Sequence, residues 1–245
     1  MFPTFAECTN AEFLQIAQAL QSGEISVDDL ATGWDVGATK SISLSSFVYY
    51  PSGSAMIRTA QTAKLVILHK QSNGVCAGKQ FSDNSIPSFI IGFTDNLCGS
   101  SAYDDESNDY KNSLLWEVED DIYDALPTEY KQAFGKQFKA ITGVQSSKTT
   151  RTDNRNMCSP AEAELFGTRK HCVQAEFNAL TASAQFDYYK TTDNRKHTKY
   201  DTDWWERSPY YDDSGNACYI NSNGAADRKG LSYAYGRCVS PFGCI

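Results

Sequence analysis

The 245-residue sequence predicts an α+β domain, in which helices and strands occupy separate blocks of the chain. Apolar residues near the N-terminus recur with the spacing of an amphipathic helix. Later apolar runs are short, rich in β-forming residues and bounded by Gly, Ser, Asn or Pro, which is typical of strands joined by loops. No internal repeat of fixed period and no low-complexity tract indicates another architecture.

The first predicted element is a helix that starts at Thr9. Thr9 and Glu12 have the spacing of a capping box, and Gly23 supplies the stop. The stripe that faces the core consists of Phe13, Ile16, Ala17 and Leu20. A short second helical turn is expected from Ser26, because the two aspartates that follow it favour a helix N-terminus.

Strands are predicted next, in three runs rich in β-forming residues. These runs cover residues 41–50, 63–69 and 86–94. Residues 95–112 are polar and acidic, so they predict a long surface loop between the strands and the helices that follow.

Three further helices are predicted in the middle of the chain. The first has the apolar stripe Leu114, Leu115, Val118, Ile122 and Leu126. Pro127 suits the first position of the second, whose stripe is Tyr130, Phe134, Phe138 and Ile141. Residues 145–156 have no apolar side chain and predict a mobile loop. Ser159, Pro160 and Glu162 then predict the N-cap, N1 and N3 positions of the third helix.

The composition excludes several classes of protein. The formal net charge is −8 and the isoelectric point is near 4.9, so binding to duplex nucleic acid is not expected. No apolar run approaches the ~18 residues that a membrane helix needs, and the first eight residues lack the pattern of a secretory signal. We therefore expect most of the eight cysteines to be buried thiols. A Cys218–Cys238 or a Cys218–Cys244 bridge is the alternative.

Motifs for catalysis or for cofactor binding are missing from the sequence, which has no G-x-G-x-x-G, Walker A, H-E-x-x-H or G-x-S-x-G pattern. Its three histidines are far apart, so we expect neither an enzyme nor a cofactor. The acidic stretches 104–109 and 212–213 offer carboxylates for Ca²⁺ but lack the spacing of an EF-hand loop. The basic stretches 148–155 and 190–199 are alternatives for a phosphate or an acidic glycan. Solvated loops are the preferred interpretation of all four.

The C-terminal segment has an unusual composition. From Ser208 to Arg237, 16 of 30 residues are Tyr, Ser, Gly or Asn. Antibody paratopes use these residue types, because Tyr gives a large contact area at little entropic cost and the others give adaptable hydrogen bonds. The residues expected to anchor the segment in the core are Trp204, Trp205, Val239, Phe242 and Ile245. An ordinary set of Gly- and Asn-rich loops is the alternative.

Three stretches carry a resemblance to a known group of proteins. They are W-W-E-R-S-P at 204–209, C-Y-I-N-S-N-G at 218–224 and G-R-C-V-S-P-F-G-C-I at 236–245. The pattern resembles the end of the C-type-lectin-fold domains, related to formylglycine-generating enzymes, that serve as variable proteins of diversity-generating retroelements. The resemblance implies a C-type-lectin-like domain over 25–245, after an N-terminal helical segment over 1–24. It also implies short antiparallel strands, a few helices, long loops and a variable ligand-binding region over 204–245.

The resemblance further implies a binding function. In such proteins, mutagenesis at adenines converts an AAC or AAT codon to Asn, Asp, Ser, Tyr or Gly codons, and residues 210–216 all belong to that set. The predicted ligand-binding residues are Tyr210, Tyr211, Asp212, Asp213, Ser214, Asn216, Tyr219, Asn221, Asn223, Asp227, Tyr233 and Tyr235. The paired catalytic cysteines of the related enzymes are not identifiable by motif, which argues against their activity.

A host-attachment protein is the leading interpretation of these features. The expected ligand is a cell-surface protein or glycan of a host. The expected location is a phage tail or other virion surface, and the virion is assembled in the bacterial cytoplasm. The bacterial cell surface is the alternative location. A homotrimer and contacts with other tail proteins are also expected. The competing interpretation is a virion structural or decoration protein whose C-terminal surface contacts another viral protein.

Overall fold

The computed structural model describes residues 2–30, 32–51, 54–104, 106–180, 184–200, 203–231 and 237–245. Its α-helices are α1 (Asn10–Ser22), α2 (Leu114–Asp124), α3 (Thr128–Ala133), α4 (Glu162–Phe166) and α5 (Gln174–Leu180). Its strands are β1 (Thr39–Leu44), β2 (Phe47–Tyr49), β3 (Met56–Arg58), β4 (Gln61–Lys70), β5 (Phe89–Phe93), β6 (Phe138–Val144), β7 (Thr149–Arg155), β8 (Met157–Cys158), β9 (Trp204–Pro209), β10 (Asn216–Ile220), β11 (Ala226–Gly230) and β12 (Phe242–Cys244). Short 3₁₀ helices cover Val27–Asp29, Asp187–Lys190 and Asp193–Arg195.

The strands form several small sheets, and the named strand pairs are all antiparallel. The largest sheet has the order β1-β4-β5-β12-β8, so the C-terminal strand lies between β5 and β8. A second sheet has the order β11-β10-β9, and the hairpins β2-β3 and β6-β7 complete the set. Together with the few helices, this arrangement confirms the α+β class.

The first helix matches its prediction closely. The Thr9 hydroxyl accepts a hydrogen bond from the Glu12 amide at 3.2 Å, and the Glu12 carboxylate accepts one from the Thr9 amide at 2.7 Å. Gly23 ends the helix with a φ of 75°. The Phe13 ring stacks on Tyr130 of α3, with ring centroids 4.6 Å apart. This helix therefore packs against the main hydrophobic core.

The prediction that α3 continues to Ile141 is wrong. The helix ends at Ala133, and Phe138 and Ile141 lie in β6. Buried and half-buried side chains alternate at the start of that strand, which is the period of a strand and not of a helix. The prediction of a mobile loop over 145–156 is also wrong, because β7 pairs with β6 along seven residues of each strand. This strand was missed because it has no apolar side chain. Its backbone ladder with β6 and the ion pair between Arg151 and Asp109 hold it in place.

Two other predictions need correction. Helix α4 begins at Glu162, two residues later than the spacing of Ser159 and Pro160 indicates. Its N-cap is Ala161, whose amide donates to the Glu164 carboxylate at 2.8 Å. The segment 95–112 is irregular, as predicted, but much of it lies inside the protein. Its buried members include Asn96, Ser101, Tyr103, Asn108 and Tyr110.

The predicted core anchors are confirmed. Trp204, Trp205, Val239, Phe242 and Ile245 are all fully buried. The eight cysteines are buried thiols, and neither of the two alternative disulfide bridges forms. Within the described ranges, no helix is both long enough and apolar enough to span a membrane.

Candidate functional site

The W-W-E-R-S-P stretch forms the whole of β9, and all six of its residues are buried. The predicted ligand-binding residues follow it in sequence. Tyr210 lies under the surface, with 7% of its area exposed, whereas Tyr211 is 38% exposed. Residues 211–215 are exposed without interruption. These five residues, which we term the 211–215 loop, connect β9 with β10.

Hydrogen bonds within this loop fix its shape. One oxygen of the Asp213 carboxylate accepts from the Gly215 amide at 2.8 Å, and the other accepts from the Asn216 side-chain amide at 2.6 Å. The side chains of Asp212 and Ser214 are exposed beside them. The loop therefore presents an aromatic ring, carboxylates and a hydroxyl group to solvent.

Asn108 supports the 211–215 loop from beneath. Its side-chain amide nitrogen donates toward the carbonyl oxygens of Tyr210 at 3.3 Å, Asp213 at 3.1 Å and Asn216 at 2.8 Å. Its own backbone amide donates to the Ser214 carbonyl at 3.0 Å. Sequence reasoning missed this residue, which it assigned to a surface loop, and no local signal marks it. Only the fold brings residue 108 beside residues 210–216.

The predicted site residues do not all share one surface, because successive residues of a strand point to opposite sides of a sheet. Cys218 pairs with Arg228, whose guanidinium lies 4.9 Å from the centre of the Tyr210 ring. Tyr219 pairs with Asp227 on the other side, and its hydroxyl donates to the Asp227 carboxylate at 3.2 Å. The structure therefore separates Tyr219 and Asp227 from the surface that Tyr210 and Tyr211 share.

Two other predicted residues shape the β10–β11 turn. The side-chain oxygen of Asn221 accepts hydrogen bonds from the amides of Asn223 at 3.0 Å and of Ala225 at 3.2 Å. This asparagine is thus occupied within the turn, while Asn223 is exposed at its tip. Tyr233 and Tyr235 lie outside the described residues.

A basic cleft of about 760 Å³ lies beside the 211–215 loop. Its charged and titratable lining residues are Arg169, Lys170, His171, Lys190 and Arg195. The described part of its lining contains no carboxylate, although the chain as a whole is acidic. The Arg169 guanidinium lies 4.9 Å from the centre of the Tyr211 ring, and the Lys148 ammonium donates to the Tyr211 carbonyl. The cleft and the loop therefore meet at Tyr211.

Lys190 and Arg195 belong to the basic stretch 190–199 that the sequence favoured as a solvated loop. Their positions in the cleft show that the fold brings them to the same cavity as Arg169. Arg195 is held there by the carbonyl of Gly224, to which its Nε donates at 2.9 Å. The positive charge of the cleft is thus partly fixed in position by the β10–β11 turn.

A buried charged centre lies beside β9, which contributes Arg207 to it. The Glu164 carboxylate receives two hydrogen bonds from the Arg207 guanidinium, at 2.6 and 2.8 Å, and also pairs with Lys79. Burial alone raises the pKa of Glu164, but Arg207 and Lys79 outweigh it and lower that pKa to about 2. Burial raises the pKa of Glu176 to about 7 and the pKa of Glu206 well above its usual value.

The structure offers one group of potential metal ligands within its described residues. It consists of Glu162, Glu206 and Cys218, whose ligand atoms all lie within 4.8 Å of one another. The described residues of the acidic stretches considered for Ca²⁺ do not form such a group. Asp109 instead forms an ion pair with Arg151 at 2.7 Å, and the Asp213 oxygens accept hydrogen bonds from the loop itself.

Comparison with known proteins gives one match. The model of the DUF6273 family, described as a domain of unknown function, matches residues 94–244. The matched region includes Asn108, the 211–215 loop, the basic cleft and the buried charged centre. No curated protein and no solved structure matches the chain.

Proposed function

The chain belongs to the DUF6273 family, and we propose that it is a non-enzymatic binding protein that contacts its ligand with the 211–215 loop and the adjoining basic cleft. One observation carries this proposal. Five consecutive residues are exposed and are nevertheless held from beneath by the buried side chain of Asn108. A surface loop that is held in one conformation loses little entropy when it binds a partner.

The chemistry of this surface suits a ligand with both polar and anionic groups. The Tyr211 ring supplies contact area and a hydroxyl, and the carboxylates of Asp212 and Asp213 accept hydrogen bonds. The cations of the basic cleft would attract a carboxylate or a phosphate on the same ligand. A host-surface glycan or protein that carries acidic groups fits this combination best.

The resemblance in the sequence supports a proposal for the wider setting. We propose that the chain is a C-type-lectin-like variable protein, carried on a phage tail tip or displayed on a bacterial surface. A trimer would convert weak binding at one site into useful avidity. A virion structural role, in which the same surface contacts another viral protein, is the second candidate.

Binding of the purified, fluorescently labelled protein to intact candidate host bacteria tests the proposal. Tyr211→Ser is the informative variant, because it removes an exposed ring without opening the core. Tyr200→Ser is the matched control, since Tyr200 is 36% exposed but contacts Arg58 and Gln61 instead. Tyr210 is unsuitable for substitution because it is buried.

We expect wild type and Tyr200→Ser to bind the cells equally, and Tyr211→Ser to bind at least about tenfold more weakly, as the loss of a central aromatic contact implies. Equal binding by all three proteins would remove the loop from the contact surface. Failure of wild type to bind any cell, together with its association with a purified virion protein, would favour the structural role.

A further inference from the structure

A cluster of buried acidic and thiol groups lies behind the 211–215 loop. Glu162 comes from α4, Glu206 from β9 and Cys218 from β10, and all three are fully buried. Their ligand atoms lie within 4.8 Å of one another. Three segments that are distant in sequence thus direct two carboxylates and a thiol toward one point.

Glu206 is the least satisfied group in this cluster. Both oxygens of its carboxylate are buried, and neither has a hydrogen-bond partner in the described part of the protein. A buried carboxylate without donors or a cation is strongly unfavourable, because it loses its hydration and gains nothing in return. The Glu206 side chain therefore needs a proton or a cation.

The neighbouring cations do not meet this need. Lys79 and both terminal nitrogens of Arg207 are bound to Glu164. Glu162 is held by backbone amides of residues 170–172, and Glu176 by the Ser208 hydroxyl and the Gly143 amide. These two carboxylates instead add negative charge around Glu206.

We propose that Glu162, Glu206 and Cys218 bind a zinc ion. Zn²⁺ accepts thiolate and carboxylate ligands together, whereas Ca²⁺ and Mg²⁺ take oxygen ligands. Its ligand distances of about 2.0–2.3 Å place the ligands of a tetrahedral site about 3.3–3.8 Å apart, so binding would draw together side chains that now lie within 4.8 Å of one another. Cys172 packs beside Cys218, and its backbone amide donates to Glu162 at 3.1 Å, but its sulfur lies outside this group of ligand atoms and would have to move to supply a fourth ligand.

The site would be structural, since its three ligands are fully buried and a substrate could not reach the ion. Binding converts each participating thiol to a thiolate and releases its proton to solvent. The ion would join α4, β9 and β10 directly behind Tyr210, whose side chain packs against Cys172 and Cys218. This inference does not depend on the proposed binding function.

The test starts from the full chain, expressed without a histidine tag and purified without chelator. Elemental analysis gives the zinc content, and titration of chelator-treated protein with Zn²⁺ against a chromogenic chelator gives the affinity. Co²⁺ serves as a spectroscopic substitute, because thiolate ligands produce a charge-transfer band. Cys218→Ser and Glu206→Gln remove ligands, and Cys98→Ser removes a buried thiol outside the cluster.

We expect about one zinc per wild-type chain, as isolated or after addition of Zn²⁺, and a lower unfolding temperature after its removal. We expect Cys98→Ser to bind zinc as tightly as wild type. We expect the zinc affinity of Cys218→Ser and of Glu206→Gln to be at least about 100-fold lower. A wild-type chain that neither contains zinc nor takes it up stoichiometrically would overturn the proposal and leave Glu206 protonated. A cobalt spectrum unchanged in Cys218→Ser would also overturn it. The wild-type readout holds even if a variant does not fold.

Discussion

The side-chain nitrogen of Asn108 lies 2.8 Å from the carbonyl oxygen of Asn216, and the same nitrogen reaches the carbonyls of Tyr210 and Asp213. One buried amide thus connects the segment before α2 with both ends of the 211–215 loop. The carbonyls of Asp213 and Asn216 also accept hydrogen bonds from backbone amides, and Asn108 adds a second donor to each of them. The exposed loop can therefore keep one shape without a hydrophobic core of its own.

Asn108→Ala is expected to lower the free energy of unfolding by about 1–3 kcal/mol, because it removes the side-chain donor that the carbonyls of Tyr210, Asp213 and Asn216 share. It should also speed amide hydrogen exchange in residues 211–216. Denaturant unfolding and hydrogen-exchange mass spectrometry measure the two effects. Asn178→Ala is the control, since Asn178 is exposed and its side-chain oxygen accepts a hydrogen bond from the neighbouring Gln174. Unchanged exchange in the loop of Asn108→Ala would contradict the supporting role.

Lys79→Met is expected to destabilise the protein by about 3–5 kcal/mol, because it leaves the buried Glu164 carboxylate with only one of its two cations. Lys136→Met is the matched control. Its ion pair with Asp83 lies at the surface, where such pairs contribute about 1 kcal/mol or less. Urea denaturation of both variants gives the comparison, and equal losses would show that the buried pair does not stabilise the fold.

Stability is expected to fall between about pH 6.5 and pH 4 because of His197. Burial lowers the pKa of this histidine to about 4, against the opposing effect of Asp95. Its ring stacks on Trp204 with centroids 4.5 Å apart, and Nδ1 lies 2.7 Å from the Asn96 side-chain oxygen. In the unfolded chain this histidine is protonated near pH 6.5, whereas in the folded chain it is protonated only near pH 4. Between these pH values the unfolded chain binds more protons than the folded chain, so acid favours unfolding.

This histidine contributes up to about 3 kcal/mol to the fall in stability. Denaturant unfolding of wild type and His197→Gln at several pH values isolates the contribution, because the other titrating groups are common to both. The variant should be less stable at pH 7 and should lose less stability on acidification. Parallel pH profiles for wild type and His197→Gln would refute the assignment.

Gly224→Ala is expected to destabilise the β10–β11 turn. Gly224 has a φ of +74°, and an added Cβ would lie 2.7 Å from the Thr192 carbonyl oxygen. The left-handed backbone alone costs about 1–2 kcal/mol for a residue with a side chain, and the contact adds to this. Gly74→Ala isolates the backbone cost, since Gly74 has a φ of +73° and open space around it. Thermal unfolding should show a larger loss of stability for Gly224→Ala than for Gly74→Ala. Equal losses of stability would mean that Thr192 can move away from the added Cβ at little energetic cost.

The parts of the fold that rest on local signals could be predicted from the sequence. The capping box of Thr9 and Glu12 and the stop at Gly23 are complete within one short segment, so they identify α1. Strand β7 could not be predicted, since its polar side chains give no period and its stability comes from pairing with β6. The misplaced start of α4 has a similar cause, because Glu164 caps the helix from within a buried ion pair.

The candidate site was predictable only in part, because some of its features depend on contacts between distant segments and not on local signals. Composition marked the exposed Tyr211 and the residues after it. It could not show that Tyr219 faces away from that surface, because this depends on the register between β10 and β11. Asn108 and the basic cleft arise from contacts between segments up to about a hundred residues apart, which no local pattern encodes.

We propose that the 211–215 loop and the basic cleft form the ligand-binding surface. Hydrogen-exchange mass spectrometry of the wild-type protein, alone and bound to the envelope fraction of a host that it recognises, tests this most directly. We expect new protection in residues 168–171 and 211–215, with little change in α1 or in the β2–β3 hairpin. Protection confined to α1 or to that hairpin, or no binding to any envelope fraction, would contradict it.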